Sequence, residues 1–89
     1  MSCYVYILKC ANNTFYTGIT GNLKKRLREH EDGLFGFTKS RLPVELVYYE
    51  IEDNYVSARK REVVIKDMSQ KKKLALIKKF NSSLARIEV

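Results

Sequence analysis

Residues 15–30 read FYTGITGNLKKRLREH, and the reading of this stretch decides the fold. Phe15 to Thr20 is a predicted strand that turns through Gly21 into a short basic helix, Asn22 to Glu31. Asn22 stands where a helix needs its N-cap, and Gly33 stands where one stops. Leu23, Arg26, Leu27 and His30 fall at i, i+3, i+4 and i+7, so they share one helix face. Two of the four are leucines, which belong in a core. The other two are an arginine and the chain's single histidine. An arginine on a core-facing stripe either snorkels its charge to water or is held beside an acidic group. The arrangement aims a fixed positive charge and an imidazole past the end of the strand.

Upstream, Cys3 to Lys9 is CYVYILK. Cys3, Val5 and Ile7 fall on one face, and Tyr4, Tyr6 and Leu8 on the other. A strand apolar on both faces suits the centre of a covered sheet. Ala11-Asn12-Asn13 is a turn signal, so the two strands form a hairpin. A two-residue turn would put Tyr6 and Tyr16 on opposite faces. A three-residue loop pairs Cys10 with Thr14 and puts Asn13 in the left-handed region, which Asn tolerates. It also sets Tyr16 opposite Leu8 and Gly18 opposite Tyr6, so both tyrosines share a face and Gly18 leaves room for the Tyr6 ring. The second register is the expectation.

Downstream, Gly33 to Arg41 reads as a loop with one helical turn near Phe37 to Ser40. Pro43 opens a third strand, Val44 to Glu50. Asp53 or Asn54 caps a helix from about Tyr55 to Met68, with Tyr55, Ala58, Glu62 and Ile65 on one stripe. Ser69 caps a last helix, Gln70 to about Phe80, apolar at Leu74, Leu76, Ile77 and Phe80. Residues 1–80 read as one domain and 81–89 as a flexible tail, in which Leu84, Ile87 and Val89 are the residues able to dock. The expected fold class is α+β: a three-stranded antiparallel sheet flanked by helices in the order β-β-α-β-α-α. So small a sheet needs helices on both faces.

Lys and Arg number 17 against 10 Asp and Glu, a formal charge of +7 in 89 residues. That excess favours an anionic partner, most simply nucleic acid. No apolar run approaches the ~20 residues of a membrane span. The opening MSCYVYILKC lacks a basic leader and reads as a strand rather than a signal peptide. Cys3 and Cys10 sit at the two ends of one strand, too far apart to bond. They read as free thiols in a reducing cytoplasm. A single histidine excludes the usual zinc clusters. A monomer is the favoured state.

Glu62 is an anomaly, because a carboxylate on an apolar stripe is expensive unless paired or bound to a cation. Its bland reading is a salt bridge to Arg59 or Arg61. Tyr6 and Tyr16 have a plain reading as sheet aromatics. Arg26 and His30 have one as part of a solvated basic face with Lys24, Lys25 and Arg28.

Taken together, however, YVYIL at Tyr4 to Leu8, YTG at Tyr16 to Gly18 and RLREH at Arg26 to His30 resemble the GIY-YIG nuclease superfamily. REVVIK at Arg61 to Lys66 is similar to its acidic helix. TKSRLPVELVYYE, Thr38 to Glu50, resembles a small single-domain bacterial branch (UPF0213-like). The likeness spans about Ser2 to Leu76. The first triplet departs from it, being Tyr4-Val5-Tyr6 rather than Gly-Ile-Tyr, and the second has Thr17 at its centre.

This resemblance implies hydrolysis of phosphodiester bonds, in DNA more than RNA, with one divalent metal, Mg2+. It implies Tyr6, Tyr16, Arg26, His30 and Glu62 as catalytic residues, Glu62 as the metal ligand and Gly18 as structural. Glu62 would hold the metal, Arg26 would clamp the phosphate, and Tyr6 would activate water. His30 would pass its proton on or orient it, and Tyr16 would position water or phosphate. Lys24, Lys25, Lys39, Arg41, Lys71, Lys72 and Lys73 are the expected backbone contacts. The catalytic side chains are expected to line one shallow basic concavity. The alternative is a nucleic-acid-binding module of the same fold that cuts nothing, and a third reading is a scaffold for an acidic protein partner.

Overall fold

A computed structural model describes residues 2–87 of the chain, with side chains over 2–81. Three strands form the sheet: β1 (Cys3–Cys10), β2 (Phe15–Thr20) and β3 (Val44–Glu52). Four helices accompany them: α1 (Leu23–Glu31), α2 (Gly36–Lys39), α3 (Tyr55–Lys66) and α4 (Gln70–Ile87). The sheet order is β2-β1-β3, antiparallel throughout, so the doubly apolar strand lies at the centre as its composition requires.

The hairpin takes the three-residue register. Leu8 pairs with Tyr16 and Tyr6 with Gly18. Cys10 N–H donates to Thr14 O at 2.9 Å, and Asn13 carries a φ of 65°. On the other side of β1 the pairing jumps from Ile7–Tyr48 to Leu8–Leu46, a bulge that turns Tyr48 toward the same core as Ile7. That core joins Val5, Ile7 and Tyr48 to Ala58 and Ile65 of α3 and Ile77 of α4. Burying each large aliphatic contributes about 1.5–3 kcal/mol. The opposite sheet face, with Tyr6 and Leu8 fully buried, is the side of α1 and α2.

Helix ends follow their caps. Asn54, rather than Asp53, caps α3, its side chain accepting Ser57 N–H at 2.9 Å. Ser69 accepts Lys72 N–H at 3.2 Å and starts α4. Helix α3 stops at Lys66, short of Met68, as the N–H groups of Asp67 and Met68 bond back to Val63 and Ile65. Ala58, Glu62 and Ile65 form its buried stripe, but Tyr55, at its first position, is 63% exposed. Helix α4 runs to Ile87, past the Phe80 at which the apolar spacing ends, because Asn81 to Ser83 contain neither Gly nor Pro to break it. The docking expected of Leu84, Ile87 and Val89 lies outside the described side chains.

Gly18 answers to one neighbour. A Cβ built there would stand 2.6 Å from Tyr6 Oη and 2.8 Å from Tyr6 Cζ. Tyr6 is fully buried and has nowhere to retreat. Gly18→Ala is expected to lower the unfolding free energy by about 1–3 kcal/mol, read from the urea midpoint; an unchanged midpoint would mean that the Tyr6 ring is loosely held. Thr17 Oγ1 is buried without a hydrogen-bond partner among the described residues. Thr17→Val removes that orphan hydroxyl and is expected to stabilise the fold by about 1 kcal/mol in the same titration.

Candidate active site

The hairpin register puts Tyr6 and Tyr16 on one face, with ring centroids 6.3 Å apart. The turn into α1 is held at both ends. Asn22 N–H donates to Thr20 Oγ1 at 3.1 Å, and the Asn22 side chain accepts Lys25 N–H at 3.1 Å. At the far end Gly33, φ +75°, lets its N–H reach His30 O while Leu34 N–H reaches Glu29 O. These caps fix the phase of α1. Leu23, Arg26 and Leu27 are half-buried, and His30 is wholly buried beneath the sheet face.

His30 is the hub. Its Nε2 lies 2.9 Å from Tyr6 Oη, and its Nδ1 lies 2.8 Å from Thr38 Oγ1. Thr38 in turn donates to Phe35 O at 3.4 Å. The imidazole sits 4.4 Å from the Phe35 ring and 5.1 Å from the edge-on Tyr16 ring. Arg26 meets the second of the two expectations for a stripe arginine, being held beside an acidic group. Its Nε pairs with Glu29 at 3.3 Å and its Nη1 donates to Ile19 O at 3.4 Å. Its guanidinium also lies 5.0 Å from the centre of the Phe35 ring.

Burial pushes the Tyr6 phenol up from its ordinary value of 10, and the charge of Tyr16 adds to this. Hydrogen bonding and attraction from the Arg26 guanidinium oppose it, and the Glu62 charge raises it again. One phenol therefore feels Tyr16, Arg26 and Glu62 at once. Burial lowers His30 below its ordinary 6.5, the Arg26 charge lowers it further, and Glu29 works against both.

Glu62 stands apart from this group in its contacts. It sits on α3, which packs against β1 and β2, and is only 6% exposed. Its Oε1 is ion-paired with Arg59, and its Oε2 lies 3.4 Å from Lys66 Nζ. Arg61 turns instead to Glu50, at 2.5 Å. Among the described residues no cluster of three or more His, Cys, Asp and Glu gathers to hold a metal. A single carboxylate still fits Mg2+, which keeps several waters and takes one or two carboxylates plus substrate phosphate oxygens. Arg59 and Lys66 hold this carboxylate with side chains more than half exposed, so a divalent cation competes only with solvated partners.

The expected side chains do not form an open concavity. Tyr6 and His30 are both 0% exposed, behind the half-buried Tyr16 and Arg26. Open grooves lie elsewhere. One of about 460 Å³ runs between α1 and the sheet, past Tyr4, Leu27 and Tyr49. Another, of about 290 Å³, is lined by Asn22, Lys24, Lys25 and Arg28. The remaining cations are scattered. Lys39 is exposed at the end of α2, and Arg41 stacks 4.1 Å over Phe37, whose ring lies 5.4 Å from Tyr16. Lys71 and Lys72 are exposed at the start of α4, and Lys73 faces the hairpin turn at Asn13 to Phe15. Thr38, Phe35 and Phe37 went unnoticed as site residues, because nothing in a loop reading GLFGFTKS marks which members fold inward. Lys66 was legible, since it stands four residues after Glu62 on one helix.

Residues 2–75 match a family described as the GIY-YIG catalytic domain. A UPF0213 protein of Syntrophus aciditrophicus is 53% identical over 77 residues, covering 84% of this chain and 88% of its own length. One from Clostridium perfringens is 47% identical over 75 residues, covering 83% and 81%. Among solved structures, a UPF0213 protein from Bacillus halodurans is similar with a TM-score of 0.58 at 33% identity, covering 88% of this chain and 84% of that one. An E. faecalis protein gives a TM-score of 0.63 at 32% identity, covering 91% and 88%.

The lowered His30 pKa sets a pH dependence. Below 6.5 the unfolded chain protonates its imidazole while the folded one resists, so the contribution to stability is complete above 6.5. It is lost as pH falls toward the folded value. Urea midpoints measured from pH 7 down to about pH 5 should fall in the wild type and fall less in His30→Gln. Parallel curves would show that the imidazole titrates alike in both states.

Proposed function

The chain belongs to the GIY-YIG family, in its UPF0213 branch, and from that membership we propose that it is a divalent-metal-dependent endonuclease acting on nucleic acid, on DNA in preference to RNA. The observation that supports this most is the joining of Tyr6, Tyr16 and His30 in one contact group, with the Arg26 guanidinium over the Phe35 ring that faces the imidazole. These side chains come from β1, β2, α1 and the loop that follows it.

In this reading Arg26 clamps a non-bridging phosphate oxygen and offsets the charge that grows there in the transition state. Tyr16, the more accessible phenol, orients the attacking water. Tyr6 takes the water's proton as it yields its own to His30 Nε2, 2.9 Å away. A phenol that burial keeps protonated offers no free base by itself, so this hand-over is what makes it serviceable. Glu62 would hold the metal, Mg2+, which when bound neutralises phosphate charge and stabilises the leaving oxygen. Lys24, Lys25 and Arg28, beside one groove on α1, contact the backbone, and Lys39, Arg41 and Lys71 to Lys73 offer separate contacts elsewhere on the surface.

The second reading, a binding module that does not cut, is favoured by one observation: both Glu62 oxygens already face cations. The two readings part in a nicking assay on plasmid and branched DNA with Mg2+. Arg26→Ala and Glu62→Ala are each expected to lower cleavage by at least about 100-fold, while Glu62→Ala leaves duplex affinity nearly unchanged. Equal background cleavage by wild type and both variants would remove the catalytic reading. DNA binding that survives this, weakens steeply with salt and ignores chelator would leave the module.

A further inference from the structure

We propose that Thr38 is a positioning residue, whose hydroxyl accepts the His30 Nδ1 proton and so keeps Nε2 bare to receive the proton of Tyr6. The inference rests on the reading of Tyr6 and His30 as a proton-transfer pair, and a count of donors carries it. The Thr38 hydroxyl has one hydrogen, and Phe35 O lies within reach to take it at 3.4 Å. Towards Nδ1, 2.8 Å away, Thr38 then offers only a lone pair, so Nδ1 carries the hydrogen. The other end of the chain agrees. The Tyr6 hydroxyl carries one hydrogen, and its hydrogen-bond partner among the described residues is the imidazole. Nε2, at 2.9 Å, is its acceptor. The reverse tautomer would point Nε2–H at the Tyr6 oxygen and strand the Tyr6 hydrogen in a fully buried place, an arrangement folded proteins avoid.

The surroundings hold this choice. Thr38 is 0% exposed, and Phe35 faces the imidazole at 4.4 Å. Tyr16 closes the ring edge at 5.1 Å. The charged groups bearing on the ring, Arg26 and Glu29, come from its own helix. Chemically, the attacking water's O–H bond breaks and its electron pair forms the new P–O bond. Tyr6 takes that proton while its own passes to Nε2, and the bond to the leaving oxygen breaks, that oxygen drawing a proton from solvent. The resulting imidazolium keeps both N–H groups bonded, one to Tyr6 and one to Thr38.

The chain has a single histidine, so long-range proton–nitrogen correlation of the imidazole at neutral pH reads one residue. Wild type and Thr38→Ser are expected to show Nδ1 protonated and Nε2 bare, and Thr38→Val to lose that preference. Single-turnover cleavage should fall at least about tenfold in Thr38→Val at unchanged DNA affinity, and return in Thr38→Ser. A protonated Nε2 in the wild type overturns the proposal, as does a Thr38→Val protein that keeps both tautomer and rate. If Thr38→Val does not fold, the wild-type and Thr38→Ser spectra still decide. If the wild type does not cut, the nuclease reading falls while the tautomer remains measurable.

Discussion

The hydrogen bond between Tyr6 Oη and His30 Nε2 ties the central strand to the first helix across 24 residues of chain, wholly out of water. A buried polar contact of this kind is costly when half-made, so everything around it is constrained to complete it. Gly18 keeps its Cβ position empty for the Tyr6 ring. The Asn22 cap and the left-handed Gly33 fix the phase of α1, so that His30 and not its neighbours faces the sheet. Helix α2, a single turn, brings Thr38 to the far ring nitrogen. Each is a small local device, and together they leave the imidazole one orientation.

The same burial that makes the contact rigid sets its chemistry. Away from water the Tyr6 phenol resists losing its proton and the His30 imidazole resists gaining one. Neither group is reactive alone in that state. The nearest fixed cation, Arg26, is held by Glu29 and lies over the Phe35 ring beside the imidazole. Glu62, buried on α3 behind two solvated cations, is the negative counterpart.

Much of this was legible in the residues because it is periodic or local. Alternation placed Tyr6 and Tyr16 on one face once the hairpin loop was taken as three residues, and Asn13 adopts the left-handed conformation that loop needs. Helical spacing set Arg26 and His30 on one stripe and Glu62 on another. Side-chain burial was harder to read. Tyr55 stands on the apolar stripe by spacing but begins its helix, where no neighbouring layer covers it. The end of α4 was likewise hidden, since polar residues continue a helix as readily as they end one.

The order of elements, the hairpin register and the identity of the histidine and arginine on α1 follow from the amino-acid sequence, because backbone periodicity and caps act over a few residues. Which partners those side chains take was left to the tertiary structure. Thr38 against His30, Phe35 under Arg26, and Arg59 with Lys66 on Glu62 depend on how a loop and two helices settle on the sheet. The sealing of Tyr6 and His30 from water has the same origin, because closure is a property of layers in contact and no single segment carries it.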